Sequence, residues 1–221
     1  ATGQRGPGVS NNRVGAAKRF AARVAAELST LKMADTEFAV ALSATPADPD
    51  TDPHLVVGTH AVSESGIDRA VFTIAPNVGE TLKPLVAIAS GGELSRVVLA
   101  LKSILAASES VATIVFDEVD AGIGGAVAEV VGRKLAALAR HHQVICITHL
   151  PQIAKFGDHH FKISKHVASG RTRTAITLLS ADDRTREIVA SLALRDPRVR
   201  LLHNPLRRVV GGLNVGLRAA R

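Results

Sequence analysis

The sequence predicts an α/β fold with a mostly parallel sheet flanked by helices. Two observations carry this. The first is alternation. Residues 92–107 put Leu94, Val97, Val98, Leu101 and Leu105 on one helical face, and Val127, Val130, Val131, Leu135 and Leu138 form a second such face. Residues 111–116 and 144–147 are continuous apolar runs, as expected of strands covered on both sides. Strand, helix, strand order implies parallel pairing with right-handed crossovers. The second is composition. The chain has 221 residues, 46% of them hydrophobic, enough for one domain with a real core. Aromatics are 3%, with no Trp or Tyr, so Val, Leu, Ile and Ala must build that core.

The remaining elements follow in order. Residues 1–12 are rich in Gly, Ser and Asn and are expected to be disordered, with Asn12 capping a helix that starts near Arg13. In that helix Val14, Ala17, Ala21, Val24, Leu28 and Leu31 recur at spacings of three and four. The stripe suits a coiled-coil seam or an amphipathic helix packed on a domain, and it is too short to separate the two. Residues 37–42 read as a strand. Residues 45–54 carry three Pro and three Asp and read as a surface loop. Strand-like runs follow at 55–62 and 67–74, then a turn at Pro76-Asn77-Val78-Gly79. Residues 161–164 and 174–179 read as late strands. Residues 182–192 read as a short helix beginning at Asp182 or Asp183.

The formal charge of +7 suggests nucleic acid, but its location does not. Residues 193–221 hold seven Arg and one Asp, which leaves the rest nearly neutral. That segment has no period. It is either a phosphate-binding tail or an extension without a fold of its own. Cys146 is the single cysteine, which excludes an internal disulfide framework and suits a reducing compartment. It reads as a small buried apolar residue. No signal-peptide pattern is visible, and no apolar run reaches the roughly 18 residues of a membrane span.

Three motifs carry chemistry. Ser90-Gly91-Gly92 opens a helix, where unpaired N–H groups and the helix dipole favour a phosphate and Ser90 adds a hydroxyl. Alone, such a tripeptide is usually just a turn. Asp117-Glu118 ends an apolar strand, where ligands of open parallel sheets bind. An Asp there suits Mg²⁺, and a neighbouring carboxylate suits activation of a water. A solvated acidic loop is the plainer alternative. His149 follows the next strand at the same expected sheet edge, where it would contact a terminal phosphate or orient Glu118; a surface histidine is again the plainer alternative. His141-His142 and His159-His160 lack a ligand cluster and are read as structural.

The order of these motifs resembles one family. The carrying strings are Pro76-Asn-Val-Gly-Glu80, Leu82-Lys-Pro-Leu85, Ala89-Ser-Gly-Gly-Glu-Leu-Ser-Arg96, Val115-Phe-Asp-Glu-Val-Asp-Ala-Gly-Ile123, Cys146-Ile-Thr-His-Leu-Pro-Gln-Ile153 and Gly157-Asp-His-His-Phe161. They resemble the C-terminal half of RecN, a bacterial DNA repair family among the SMC-like ABC ATPases. The resemblance spans roughly residues 14–192. It implies the C-terminal lobe of an ABC/SMC-type P-loop ATPase head over 36–192, with 13–35 as the end of a coiled-coil arm.

The resemblance also implies roles. Ser90, Gly91, Gly92 and Glu93 match the signature that faces the γ-phosphate on a partner head. Asp117 matches the Walker B residue for Mg²⁺, Glu118 the catalytic base, Asp120 the D-loop at the head–head interface, and His149 the switch histidine. ATP and Mg²⁺ are the implied cofactors. The implied partners are the N-terminal half of the same head, a second copy through the heads, and DNA, with no membrane partner. The implied setting is the bacterial cytoplasm, with nucleoid association, and recombinational repair of double-strand breaks.

The chain departs from the family in two respects: residues 193–221 leave the pattern, and the phosphate-binding lysine loop is missing. No Gly-x-x-x-x-Gly-Lys-Ser/Thr string occurs, and Gly132-Arg133-Lys134 sits inside a helical pattern with the wrong spacing. The chain is therefore expected to be a C-terminal portion with negligible ATPase activity alone. Two functional readings stay open: half of an enzyme, or a non-enzymatic module that binds a partner head or DNA. Another SMC-like head or a transporter-type head is a weaker third.

Overall fold

The computed structural model describes residues 6–88, 90–106, 111–168 and 171–194. Expectations for residues 1–5 and for the Arg-rich segment from 195 onward lie outside the described residues. The chain divides into two units, residues 1–123 with 137–147, and residues 124–136 with 148–221.

In the first unit, helix α1 (Gly6–Ser29) packs on strand β1 (Glu37–Ala44). Strand β4 (Asp68–Ala75) runs antiparallel to β1, from Glu37 opposite Ala75 to Ala44 opposite Asp68. The Phe20, Phe38 and Phe72 rings meet between helix and sheet, with centroids 5.7–6.4 Å apart. Val24, Leu28 and Leu31 are fully buried, while Val14 stays exposed. The C-terminal half of the stripe is thus an amphipathic helix on a domain.

The helix starts at Gly6, so the expectation of disorder through residue 12 is corrected for residues 6–12, and Asn12 is interior. Tertiary contacts account for this. Ser10 Oγ donates to the Asp68 carboxylate at 2.8 Å, and Arg13 Nη1 donates to it at 3.0 Å. Such anchoring overrides the weak helix propensity of Gly, Ser and Asn.

The strand expected over 55–62 is instead a two-residue pair, β2 (Val56–Val57) and β3 (His60–Ala61). Gly58, at φ 63°, makes the reversal between them. A short strand β5 (Lys83–Pro84), not expected from the sequence, joins the far edge of β4.

Helix α2 (Gly91–Leu105) follows, and its buried Val97, Leu99, Ala100 and Leu101 form the core beside α1. Strand β6 (Thr113–Phe116) and strand β7 (Gln143–Cys146) pair in parallel, with Thr113 opposite Gln143 and Phe116 opposite Cys146. Helix α3 (Gly125–Leu138) connects them and is shared between the two units. Parallel pairing needs such a crossover, and among the described residues β6–α3–β7 alone supplies one. The expectation of a mostly parallel sheet is corrected accordingly: the other described sheets are antiparallel.

The two parallel strands are also covered on one face only. Ile114 and Phe116 are buried, whereas Val115 is 59% and Ile145 47% exposed. His142 is buried and donates from Nδ1 to the Val111 carbonyl at 2.6 Å, a structural anchor at the head of the strand pair.

In the second unit, helix α4 (Pro151–Ala154) precedes the hairpin of strand β8 (Phe161–Ala168) and strand β9 (Arg171–Leu178). Helix α5 (Ala181–Ala193) begins one step earlier than expected. Ser180 is its cap, accepting from the Asp183 N–H at 3.2 Å. Arg184 of α5 donates to the Lys155 carbonyl at 2.9 Å, and Lys162 of β8 pairs with Glu187 at 2.6 Å. A Cβ on Gly132 would overlap the Phe156 ring, so that glycine serves packing and not a phosphate loop. Among the described residues, no helix is long and apolar enough to cross a membrane.

Candidate functional site

The site is built where the N-terminus of α2 meets the loop after β6. Ser90 is the N-cap of α2, and its Oγ accepts from the Glu93 N–H at 3.4 Å. Ser90 and Glu93 have the spacing of a capping box. Accepting that bond leaves the Ser90 hydroxyl proton free to donate. The N–H groups of Gly91 and Gly92 belong to the first turn, where no helical carbonyl lies ahead of them.

The loop carries the carboxylates. Asp117 follows β6 and accepts from the Glu118 N–H through Oδ1 at 2.9 Å. Glu118 adopts φ 55°, a left-handed conformation uncommon outside glycine. The next turn closes by Ala121 N–H to Glu118 O at 3.0 Å and Ile123 N–H to Asp120 O at 3.3 Å. Val119 points into the core and is fully buried; Asp120 is also buried.

Helix and loop touch closely. A Cβ on Gly91 would overlap Glu118 Oε2. A Cβ on Gly92 would lie 2.7 Å from Ala121 Cβ and 3.1 Å from the Glu118 carbonyl oxygen. Ser95 Oγ donates to the Asp117 carbonyl at 2.6 Å, and Arg96 Nη1 donates to the Ala121 carbonyl at 2.8 Å. Burial lowers the pKa of the Arg96 guanidinium, and Glu93 opposes that shift. A guanidinium stays charged in proteins all the same.

Ser90, Gly91, Gly92, Glu93, Asp117, Glu118 and Asp120 therefore share one neighbourhood of the first unit. His149 lies exposed in the second unit, three residues past the end of β7. The sequence reading assigned the glycines to phosphate approach; they also let the chain's own acidic loop approach. It gave no role to Ser95 and Arg96, although both stand in the quoted signature string. Polar residues one turn beyond a helix cap were the available signal.

Cys146 is next to this loop. Burial pushes its thiol up to about 12, and the charges of Asp120 and Asp117 add to that. Its side chain is half-buried, short of the full burial expected from the sequence. No cluster of three or more His, Cys, Asp or Glu suited to hold a metal occurs among the described residues. Asp117 fits a more modest role. Mg²⁺ commonly keeps several waters and takes one or two protein carboxylates. One Asp117 oxygen holds the Glu118 amide and the other is outside that bond.

No family model matches the chain. It is 42% identical over 197 residues to the DNA repair protein RecN of Mycobacterium tuberculosis, covering 86% of this chain and 33% of that protein. The chain is a homologue of part of RecN. Identity to the RecN of Bacillus subtilis is 41% over 178 residues, covering 80% of the chain and 31% of the relative. To the RecN of Xylella fastidiosa it is 51% over 128 residues, covering 58% and 23%. The chain thus spans about a third of the length of these RecN relatives or less. Among solved structures, an Smc head domain with coiled coil and joint derived from Pyrococcus yayanosii aligns with TM-score 0.48 at 20% identity, covering 78% of this chain and 29% of that one. The SMC head domain of Thermotoga maritima aligns with TM-score 0.37 at 22% identity, covering 79% and 52%.

Proposed function

We propose that this chain supplies the signature and carboxylate half of a composite ATPase site in a RecN-type DNA repair head. The observation that carries this is the junction of the Ser90-capped helix with the Asp117–Glu118 loop. In this reading Ser90 donates its hydroxyl to the terminal phosphate of a nucleotide held by a partner head. The Gly91 and Gly92 N–H groups face the same charge, and Glu93 holds the turn. Asp117 offers one oxygen to Mg²⁺, which when bound neutralises phosphate charge. Glu118 accepts a proton from the attacking water, Asp120 shapes the loop at the head interface, and His149 steadies the water or the phosphate. A lysine loop on another segment completes the site. Residues 13–35 are the end of a coiled-coil arm in this reading. DNA and a second copy are the partners, and the setting is the bacterial cytoplasm with nucleoid association.

The test mixes this chain with the N-terminal part of a RecN relative and follows phosphate release. The mixture hydrolyses ATP, and Glu118→Gln lowers turnover on the order of 10²–10⁴-fold. Equal turnover for the two removes Glu118 from the role of base. A second reading is favoured by the missing lysine-loop string: the chain alone binds a partner head or DNA without turnover. Rapid hydrolysis by the pure chain overturns that reading.

A further inference from the structure

We infer that Arg96 is a positioning residue that ties the signature turn to the carboxylate loop and so couples the two nucleotide sites of a head pair. The inference rests on the function proposed above, in which the Ser90 turn serves one nucleotide and Glu118 of the same chain serves the other.

The loop from Asp117 to Gly122 is held from α2 at both ends. Ser95 Oγ bonds the Asp117 carbonyl at 2.6 Å, and Arg96 Nη1 bonds the Ala121 carbonyl at 2.8 Å. Lys32, just past α1, adds a third bond to the Gly122 carbonyl at 3.1 Å. Between these anchors Glu118 keeps its left-handed backbone at φ 55°. Such a conformation persists where the surroundings over-determine it. Gly92 leaves no slack, since even a Cβ there would meet Ala121 and the Glu118 carbonyl.

Arg96 is the costly member of this set. Its side chain is buried, and its Nε has no partner among the described residues. Burying an incompletely paired cation is unfavourable, and an aliphatic side chain would pack without that penalty. What the guanidinium adds is its grip on the Ala121 backbone. The first turns of α2 and the loop therefore move as one body. A shift of the signature turn on meeting phosphate is carried to Glu118 and Asp120, which address the second site. Coupling of this kind makes ATP use cooperative, with a Hill coefficient of up to about 2 for two sites.

The test uses Arg96→Met and Arg96→Lys. In this 221-residue chain, amide exchange of residues 117–123 rises about tenfold or more in Arg96→Met and less in Arg96→Lys, while β1 and β4 keep their protection. Unchanged loop exchange in both variants overturns the inference. So does exchange that rises everywhere in both, since Arg96 is then merely structural. In the mixture with the N-terminal part of a RecN relative, Arg96→Met brings the Hill coefficient to about 1 while half-saturation by ATP changes little. A Hill coefficient unaffected by the substitution also overturns the coupling. A mixture that never hydrolyses ATP, alongside a loop that loosens in Arg96→Met, sinks the proposed function and leaves the clamp standing.

Discussion

The Glu118 carboxylate occupies the space beside Gly91 where any other residue would put its Cβ. The Ser90–Gly92 turn and the acidic loop are thus in van der Waals contact within one chain. The two glycines differ in what they would meet. At Gly91 the obstacle is the far end of a flexible side chain. At Gly92 it is Ala121 Cβ and a backbone carbonyl.

Gly91→Ala is therefore expected to fold with nearly wild-type stability, because Glu118 can swing aside and alanine favours the helix by up to about 1 kcal/mol. Gly92→Ala must push the loop backbone and loses about 1–3 kcal/mol. At roughly 2–4 °C per kcal/mol, thermal melts should separate the two clearly. Equal melting temperatures would mean that the loop does not press on α2. In the hydrolysis assay Gly91→Ala still loses turnover, since its Glu118 is displaced.

Much of this arrangement was legible in the sequence wherever a local signal and a tertiary demand agreed. The β6–α3–β7 crossover has strong periodicity, and the Ser90-Gly91-Gly92 turn does open α2. The α2 face was legible only in part, since Val97 and Leu101 are buried but so are Leu99 and Ala100, and the Ser180 cap was not read at all. The misses have physical causes. The first turns of α1 depend on Ser10 and Arg13 reaching Asp68, a contact that no local pattern announces. Gly58 splits an apolar run that otherwise alternates like one strand. Lys83 and Pro84 form a strand only because the edge of β4 lies next to them. The β6–β7 pair reads as buried because its runs are almost wholly apolar, yet Val115 and Ile145 are exposed on one face. At the site, residue types singled out Asp117, Glu118 and Ser90, and the fold brings the Ser90 turn against the Asp117–Glu118 loop. The roles of Ser95 and Arg96 lie in bonds to backbone carbonyls of the acidic loop, which sequence does not display.

The Asp68 contact makes the start of α1 sensitive to acid. The Ser10 hydroxyl, opposed by partial burial and helped by Arg13, holds the Asp68 carboxyl below its ordinary value. A lowered folded-state pKa gives stability that is present above the ordinary carboxylate value near 4 and lost as pH falls through the folded value. Amide exchange in the first turns of α1 should quicken as pH drops below about 4, after correction for intrinsic rates. Asp68→Asn should remove that dependence. A helix start that frays identically in both would detach Asp68 from this role.

The aromatic trio should dominate the α1–sheet contact, because the chain has only six Phe and no larger aromatic residue. Phe38 is 6% exposed and Phe72 36% exposed. Phe38→Ala leaves a cavity that α1 cannot easily fill, with a loss of about 3–5 kcal/mol. Phe72→Ala opens toward solvent and should lose clearly less. Urea unfolding of the two variants measures the difference. A smaller loss at Phe38 than at Phe72 would place the packing centre elsewhere.

Cys146 offers a direct probe of the carboxylate loop. Its thiol is pushed up to about 12, by burial first and by Asp120 and Asp117 after that. A raised folded-state pKa gives stability that is fully present below the unfolded thiol value and lost as pH climbs from about 9 toward 12. Cys146→Ala should flatten that alkaline decline. The thiolate is the reactive form, so alkylation by iodoacetamide at pH 8 should run roughly 10²–10³-fold slower in the native chain than in urea. Asp120→Asn and Asp117→Asn each remove a smaller contribution and should speed native alkylation several-fold, well short of the effect of unfolding. Rates unaffected by either substitution would mean that the two carboxylates do not face β7, and the loop geometry on which the site depends would have to be redrawn.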